Sequence, residues 1–214
     1  MRTAFIALLL ATTPALAATP FEPADLYRIS MTDNVEVSPD GSRVLFTRMQ
    51  FDIQTDRRQT EWWLADVGKG GLAKRLLIPA QAGASGAVWA PDGKSIAWVA
   101  PWLGKPQIWV MDVDAGVGRP ITTGTLAPGN LNWSPDGTRI AFTALVEAMP
   151  PTVAGMPEKP AGATGAPDPR IITDFRWRTN EGGYIKPGAD HLFVVAASGG
   201  TPAQLTKGDT DQIS

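Results

Sequence analysis

The hydrophobic pattern of the chain repeats three times around a Pro-Asp-Gly tripeptide. After each tripeptide, apolar side chains alternate between two faces of an extended segment. The first face carries Val44/Phe46, Ile96/Trp98 and Ile140/Phe142, and the second carries Leu45, Ala97 and Ala141. An apolar residue also stands two positions before each proline, at Val37, Trp89 and Trp133. Alternation with a period of two is typical of a β-strand, so each repeat predicts a strand, a turn and a second strand.

The tripeptide itself has the residue types of a tight reversal. Proline presets φ at the second position of a turn, and glycine tolerates a positive φ at its exit. The predicted turn residues are Pro39, Asp40 and Gly41, then Pro91, Asp92 and Gly93, then Pro135, Asp136 and Gly137. The three aspartates are therefore interpreted as turn formers rather than as site residues.

The spacing of the turns predicts a repeat architecture of four-stranded units. Pro39 and Pro91 lie 52 residues apart, and Pro91 and Pro135 lie 44 residues apart, periods typical of solenoids, propellers and arrays. The strands of the first unit are predicted at 35–37, 43–48, 61–67 and 74–78. Those of the second are predicted at 86–90, 95–100, 107–113 and 119–123, and those of the third at 130–134, 139–145, 191–195 and 203–206. Trp63, Trp109 and Phe193 then hold equivalent places in the third strand of each unit.

These units predict an all-β fold, a partial β-propeller of antiparallel blades over 35–214, and their repeats resemble those of TolB-like or WD40-like propellers. The blades would span about 35–79, 86–124 and 130–207, and an insertion at 147–190, rich in Pro, Gly and Ala at its start, would interrupt the third. A fourth would begin near Asp211. Three blades and the start of a fourth are too few for a closed ring of about four to eight blades. The chain is therefore expected to be the front of a longer protein or a partial gene product.

The first residues have the pattern of a secretory signal. Arg2 precedes an apolar run from Phe5 to Ala11, and Ala15-Leu16-Ala17 supplies a small-x-small cleavage pattern. Residues 1–18 are predicted to be cleaved, which would place the mature protein in the periplasm or outside the cell. An uncleaved anchor is the alternative. Residues 19–34 form the predicted lead-in, with a short helix between Pro20 and Ile29 whose Leu26 and Ile29 could pack on the first blade.

Composition excludes several classes of function. The formal net charge is −2 and no basic run occurs, which argues against a nucleic acid or a membrane surface as partner. There is no cysteine and one histidine, so no cluster has the spacing of metal ligands, and no glycine-rich nucleotide loop is present. No metal and no cofactor are expected.

Several motifs resemble one peptidase family when taken in order. They are Asp25-Leu26-Tyr27-Arg28 ahead of the first Ser-Pro-Asp-Gly, Phe175-Arg176-Trp177-Arg178 with Gly183-Tyr184, then His191-Leu192-Phe193-Val194-Val195, and 202–209. The chain resembles the N-terminal propeller of secreted prolyl oligopeptidase-family serine peptidases, nearest the acylaminoacyl-peptidase and dipeptidyl-peptidase-like branch. That resemblance implies a propeller that caps a C-terminal α/β-hydrolase domain with a Ser-Asp-His triad, and a peptide as the substrate of that domain.

The residues of this chain supply no triad of their own. A nucleophile elbow requires Gly-x-Ser-x-Gly, which 83–86 does not match. His191 is the single histidine, and it is predicted at the start of a strand in a structural or solvent-facing role. The prediction is therefore that the chain contains no catalytic residue and is inactive alone.

One segment, 174–184, has the composition of a binding loop. Its candidate substrate-binding residues are Arg176, Arg178, Glu181 and Tyr184. An arginine can bind a carboxylate with two hydrogen bonds and a glutamate can pair with an amine, which suits the ends of a peptide. The alternative is a surface ion cluster that holds the neighbouring insertion in place.

Two functions from different classes follow. The first is the noncatalytic front of a secreted serine peptidase, whose propeller admits and selects peptides. The second is a TolB-like periplasmic module that binds a protein partner. The oligomeric state is left open by the sequence.

Overall fold

The structure is a computed structural model that describes residues 20–69, 73–75, 84–149, 151, 153, 155, 160–162, 164, 170–173, 175, 177–180 and 183–211. The predicted targeting segment, the end of the first unit and the start of a fourth unit beyond Asp211 lie outside the described residues, as does most of 150–169. In the described part, none of the helices has the length and apolar character needed to span a membrane.

The described chain is almost entirely β and forms three four-stranded antiparallel sheets and one two-stranded hairpin. Sheet 1 contains β1 (Ser30–Val37), β2 (Arg43–Asp52), β3 (Arg57–Asp66) and β4 (Ala73–Arg75). Sheet 2 contains β5 (Ser85–Trp89), β6 (Ser95–Trp102), β7 (Lys105–Asp112) and β8 (Val117–Pro120). Sheet 3 contains β9 (Gly129–Trp133), β10 (Arg139–Glu147), β13 (Gly188–Ala196) and β14 (Ala203–Gln204), and the hairpin contains β11 (Arg178–Thr179) and β12 (Gly183–Tyr184). The prediction of four-stranded antiparallel units is confirmed.

The outermost strands of sheets 2 and 3 end earlier than predicted because a threonine side chain replaces the backbone acceptor. In sheet 2 the N–H of Ile121 still donates to the carbonyl of Ile108 at 2.8 Å. The N–H of Ile108, however, donates to Thr122 Oγ1 at 2.9 Å. Thr206 Oγ1 does the same for the N–H of Leu192 at 2.9 Å in sheet 3. A hydroxyl that takes a ladder hydrogen bond ends the regular backbone pairing at that residue.

Each first strand carries a β-bulge at the same position of the repeat, a feature that the periodicity did not reveal. The register shifts between Asp33 and Glu36 in β1, and comparable shifts occur in β5 and β9. The residues five positions before the three prolines have positive φ, namely Asn34 (49°), Gly86 (63°) and Asn130 (50°). Asn and Gly tolerate this left-handed region best, and a bulge increases the local twist of a strand.

The three Ser/Ala-Pro-Asp-Gly segments connect the first and second strands of each sheet as tight turns. The N–H groups of Gly41, Gly93 and Gly137 donate back to the carbonyls of Ser38, Ala90 and Ser134 at 2.8, 3.0 and 2.9 Å. The three glycines have φ of 70°, 65° and 69°. A side chain at these positions would be strained, which is why the repeat contains glycine there.

The predicted lead-in helix is a short 3-10 helix, Pro23–Arg28, and it buries none of its residues. The expectation that Leu26 and Ile29 pack on the first sheet is wrong, since 52% and 41% of their surfaces are exposed. Polar contacts hold the helix instead. Tyr27 donates its hydroxyl to Asp56 Oδ1 at 3.1 Å, and Gln50 Nε2 donates to the carbonyl of Tyr27 at 3.0 Å.

The three sheets pack face to face in sequence order through two apolar cores. The first core joins the Leu45, Trp62 and Leu64 face of sheet 1 to the face of sheet 2 that contains Ile96 and Trp98. The second joins the opposite face of sheet 2 to sheet 3, and it contains Ala97, Val99, Ile108, Ile140, Phe142, Phe193 and Val195. Sheet 2 therefore presents its two faces to different neighbours, while sheets 1 and 3 each contribute one face to a core of the described residues.

The equivalence of the aromatic positions is confirmed by the strand register. Phe46 lies opposite Trp63, Trp98 opposite Trp109, and Phe142 opposite Phe193. The last two pairs stack, with ring centroids 5.9 and 5.5 Å apart.

Successive sheets also make a repeated polar contact along their first strands. Trp89 Nε1 donates to the carbonyl oxygen of Glu36 at 3.2 Å, and Trp133 Nε1 donates to that of Val88 at 3.4 Å. The turns approach one another in the same order, since a Cβ placed on Gly93 would lie 3.6 Å from Pro39 Cδ. The three turns therefore line one end of the row of sheets.

Candidate functional site

The structure pairs two of the four predicted binding residues across the short hairpin. Arg178 in β11 lies opposite Tyr184 in β12. Arg176 and Glu181 lie outside the described residues, so their proposed roles stay predictions. The segment 170–187 that contains this hairpin is called the aromatic hairpin below.

Tyr184 is the centre of the aromatic hairpin. The guanidinium carbon of Arg170 lies 3.8 Å from the centroid of the Tyr184 ring, and that of Arg178 lies 5.8 Å away. The ring of Trp177 is tilted against Tyr184 with a centroid distance of 5.5 Å. Cations within about 6 Å of an aromatic face are attracted by the ring quadrupole. Two arginines are thus held against one tyrosine.

The aromatic hairpin is attached to the end of sheet 3 that lies away from the Pro-Asp-Gly turn. The N–H of Ile185 donates to the carbonyl of Trp177 at 2.9 Å, which closes the hairpin. The N–H of Ala148 donates to the carbonyl of Pro187 at 3.0 Å, and Lys186 forms an ion pair with Glu147. Because β10 runs from the turn to Glu147, these contacts fix the base of the hairpin at the opposite end.

The apolar side chains of the aromatic hairpin face solvent. Tyr184 is 51% exposed, and Phe175 is fully exposed. Apolar side chains that form a contiguous exposed patch are typical of an interaction site. Two arginines can bind a carboxylate, and the exposed rings beside them can cover an apolar side chain. The carboxyl end of a peptide can present both groups.

Two members of this arrangement, Arg170 and Trp177, were not among the predicted site residues. Trp177 lies between two of the candidates in sequence, and its exposed aromatic character was a usable signal. Arg170 was assigned to the insertion because it follows a Pro, Gly and Ala-rich stretch. Its contact with Tyr184 joins residues 14 positions apart in sequence and depends on how the chain folds back.

The turn aspartates make hydrogen bonds within their own turns. Ser38 Oγ donates to Asp40 Oδ1 at 2.6 Å, and the N–H and hydroxyl of Ser42 also donate to that carboxylate. These hydrogen bonds lower the pKa of Asp40 to about 2, and the bond from Ser38 is the largest cause. Asp136 receives the same contacts from Ser134 and Thr138, which lower its pKa to about 2. A carboxylate stabilised in its charged form by donors is typical of a structural turn.

His191 is buried within sheet 3, so a solvent-facing role is wrong. It is the fourth residue of β13 rather than its first, and 3% of its surface is exposed. Its Nδ1 lies 3.3 Å from Thr206 Oγ1. In sheet 2 the equivalent Gln107 receives the hydroxyl of Thr122 on its Oε1 at 2.7 Å. The repeat of a polar residue with a threonine indicates a structural contact between the third strand and the exit of the fourth.

Two open clefts of similar size occur among the described residues. One, of about 460 Å³, lies beside Tyr27 and the β2–β3 connection. Its Tyr27 has a raised pKa because the hydroxyl donates to the Asp56 carboxylate. The other, of about 450 Å³, lies between the turns of sheets 2 and 3 and is lined by Pro91, Trp133 and Asp136 among others. No group of three or more metal-ligating side chains is found within the described ranges.

Comparison with known proteins gives a peptidase as a sequence relative. No protein-family model matches the chain. The chain is 27% identical over 122 residues to a Bacillus subtilis (strain 168) protein described as the uncharacterized peptidase YuxL, a match that covers 54% of this chain and 17% of that protein.

Solved structures that resemble the fold include peptidases. The acylaminoacyl peptidase of Pyrococcus horikoshii superposes with a TM-score of 0.62 and 14% identity, over 84% of this chain and 25% of that one. The AtxE2 isopeptidase gives a TM-score of 0.57 and 16% identity, over 87% of this chain and 32% of that one. The chain thus spans less than a third of each. The resemblance to prolyl oligopeptidase-family peptidases is confirmed.

Proposed function

We propose that this chain is the noncatalytic propeller part of an exported serine peptidase. Its three sheets would be three successive blades, and peptides would pass by them before they reach a hydrolase domain elsewhere in the whole protein. The observation that carries the proposal is the sequence match to a peptidase over 122 residues, about half of this chain. The fold similarity to two peptidases over more than four fifths of the chain supports the same assignment.

The histidine of the chain lies in a structural contact. It contacts a threonine hydroxyl within a sheet. A Ser-His-Asp triad needs a histidine that can reach both a nucleophile and a carboxylate. We therefore assign peptide hydrolysis to the whole protein and a gating role to this part. A TolB-like module that binds a protein partner is the second candidate, and the peptidase relative favours the first.

We assign contact with the peptide to the aromatic hairpin. Arg170 and Arg178 lie against Tyr184 on an exposed surface, where guanidinium groups can receive the carboxylate of a peptide. The apolar rings beside them can pack on its last side chain. If the alternative holds, and the arginines only fix the insertion, their removal would change stability without changing peptide binding.

The gene locus gives the direct test of the proposal. Sequencing of the genomic DNA beyond codon 214 is expected to show an in-frame continuation into a domain with Gly-x-Ser-x-Gly. A stop codon with no hydrolase frame after it would count heavily against the peptidase assignment. Purified residues 18–214 are expected to leave peptide and acyl-amino-acid chromogenic substrates intact, and reproducible turnover by this protein would contradict the division of roles proposed above.

A binding experiment tests the role of the aromatic hairpin. Tryptophan fluorescence should change on titration with peptides that have a free carboxyl end, and less with the same peptides amidated. Arg178→Ala should weaken this binding by about tenfold, since charge-assisted bonds are stronger than neutral ones. Arg139→Ala, which replaces an exposed arginine at the turn end of sheet 3, is the matched control and should leave the affinity unchanged. Equal affinities for free and amidated peptides would contradict the carboxylate role.

A further inference from the structure

The connection between β6 and β7 presents two large apolar side chains to solvent on the middle sheet. Leu103 is 87% exposed and Trp102 is 42% exposed. Sheet 2 has a neighbouring sheet on each of its faces, and the connection projects from the end of its strands. The packing of one sheet on the next therefore does not cover it. Residues 100–107 are called the Leu103 tip below.

The backbone of the Leu103 tip is unfavourable for the side chain that it carries. Leu103 and Gly104 connect Trp102 to Lys105, which lie opposite each other, and both connecting residues have a positive φ, 50° and 77°. A two-residue turn of this kind favours Asn or Asp before Gly, because most side chains are strained in the left-handed region. Strained residues of this kind are concentrated at functional positions. A leucine that is both strained and exposed therefore indicates a contact with a ligand.

The Leu103 tip is held rigidly by its own residues. Pro101 lies opposite Pro106, and each proline ring fixes φ. The ring of Trp102 packs edge-on against that of Trp109, with centroids 5.4 Å apart, and Trp109 Nε1 donates to the carbonyl of Ala100 at 3.2 Å. Side chains that are fixed before binding lose less conformational entropy when a ligand binds. The tip is therefore preorganised to contact an apolar group.

The Leu103 tip and the aromatic hairpin lie at the same end of neighbouring sheets. Each belongs to the connection between the second and third strands of its sheet, β6 to β7 and β10 to β13. Sheets that pack face to face lie about 10 Å apart, and an extended peptide rises about 3.3 Å per residue. A peptide whose carboxyl end lies at Arg178 and Tyr184 can thus reach Leu103 with a residue about three to five positions upstream.

Charge at this end of the sheets is compatible with a peptide that has a free carboxylate. Lys105 is part of the tip, and 94–111 contains no acidic residue. The carboxylates beside the neighbouring connections, Asp52, Asp56 and Glu147, each accept a hydrogen bond or an ion pair from another residue of this chain. The ammonium group of Lys105 therefore adds to the attraction that the arginines of the aromatic hairpin exert on an anionic peptide end.

We propose that the Leu103 tip is a second contact for the peptide and selects a large apolar side chain about three to five positions before its carboxyl end. The inference rests on the proposed function, because it starts from the carboxyl contact at the aromatic hairpin. Leu103 and Trp102 cover the apolar side chain, while the arginines hold the carboxylate. The preferred substrates are then linear peptides with a free carboxyl end and a leucine or similar residue upstream of it.

Leu103→Asn separates binding from stability. Asparagine tolerates the left-handed region, so thermal unfolding should give a melting temperature at least equal to that of the wild type. Calorimetric titration with a glycine-serine peptide that carries one leucine about four positions before its free carboxyl end should show about tenfold weaker binding, because an apolar contact is lost. Leu103→Met keeps an apolar side chain and should retain the affinity.

A matched control is available at the other end of the same sheet. Val117 is 75% exposed and lies opposite Asp112, next to the Pro-Asp-Gly turn. Val117→Asn makes the same change from an exposed apolar side chain to an amide, and it should bind the leucine peptide as the wild type does.

Replacement of the peptide leucine by glycine tests whether the two leucines contact each other. The wild type should bind the glycine peptide about tenfold more weakly than the leucine peptide. Leu103→Asn should bind both peptides with similar affinity, since the partner of the peptide leucine is then absent. Moving the leucine further from the carboxyl end should weaken binding to the wild type alone.

The possible failures are distinguishable. If Leu103→Asn bound the leucine peptide as the wild type does, or lost affinity equally for both peptides, the tip would have another role, such as contact with a separate protein, and the proposal would be overturned. Weaker binding of amidated peptides in that case would retain the carboxyl contact at the aromatic hairpin. A leucine effect that depends on Leu103, with equal affinities for free and amidated peptides, would retain the tip and contradict the carboxyl contact. Absence of binding by every peptide would contradict both.

Discussion

Trp89 Nε1 donates to the backbone carbonyl oxygen of Glu36 at 3.2 Å, from the first strand of one sheet to the first strand of the sheet before it. Trp133 repeats the bond to Val88 at 3.4 Å. Both acceptors stand three residues before a turn proline. The bond therefore belongs to the repeat and sets the position of each sheet against its predecessor.

Replacement of Trp89 by phenylalanine should destabilise the chain by about 1–3 kcal/mol. The change removes one hydrogen bond, worth about 1 kcal/mol, and leaves a small cavity at a side chain that is 8% exposed. Urea unfolding followed by fluorescence measures the loss. Trp102→Phe, at a 42% exposed position, is the control and should cost much less. Equal losses for the two variants would mean that the bond between sheets contributes little.

The turn carboxylates should make stability fall at acid pH. The pKa values of Asp40 and Asp136 are about 2, below the ordinary 3.8, so the native state holds these groups charged more strongly than the unfolded state does. Their contribution is complete above about pH 4 and is lost as the pH falls through about 2.

Ser38→Ala with Ser134→Ala tests that dependence, because it removes the first cause of both shifts. Its deficit in melting temperature against the wild type should be largest at neutral pH and should narrow between pH 4 and pH 2. Asp40→Asn with Asp136→Asn is the control whose turns no longer titrate in this window. A deficit that is constant with pH would contradict the assigned cause.

A serine hydroxyl in place of the Ala90 methyl group should stabilise the second turn. Ala90 stands where the other turns have a serine that donates to the aspartate, at 2.6 and 2.5 Å in turns 1 and 3. Ala90→Ser should stabilise the chain by about 1 kcal/mol, the net value of one hydrogen bond. Thermal unfolding measures the gain, and Ala90→Val, which adds bulk without a donor, is the control. Because Ala90 is buried, a loss with serine would mean that its hydroxyl finds no partner.

Alanine substitutions at two glycines test how the space around the added Cβ affects stability. A Cβ on Gly118 would lie 2.7 Å from Trp98 Cη2, while one on Gly124 would meet nothing within 4 Å. Gly118→Ala should therefore cost about 1–3 kcal/mol through overpacking of the first core. Gly124→Ala should be close to neutral. Similar urea midpoints for the two variants would show that Trp98 can move aside.

The strands and turns could be predicted because their causes are local. Successive side chains of a strand point to opposite faces, so the sequence alone places Val44 and Phe46 on one face of β2 and Leu45 on the other. The turns contain glycine because the chain has a positive φ at that position. The bulges at Asn34 and its equivalents were missed because Asn and Gly in a strand are weak signals alone. The bulges can be recognised in the sequence only because an Asn or Gly recurs five residues before each turn proline.

The candidate site could be predicted in part, for the same reason. Arg178 and Tyr184 lie close in sequence, and their pairing follows from a short hairpin. Arg170 was missed because its place over the Tyr184 ring depends on the path of the chain between them. The solvent-facing alternative for His191 was wrong because a strand pattern does not tell which of two faces is covered.

The sequence by itself determined the repeating unit, the place of each turn and the equivalence of Trp63, Trp109 and Phe193, since these depend on the spacing of residues along one chain. Only the tertiary structure decided which face of each sheet is buried. Both faces of β2 contain apolar residues. Leu45 is buried while Phe46 is half-buried, because sheet 2 covers only the Leu45 face of sheet 1. The choice of face depends on which sheet lies next to which, and that contact joins residues some fifty positions apart.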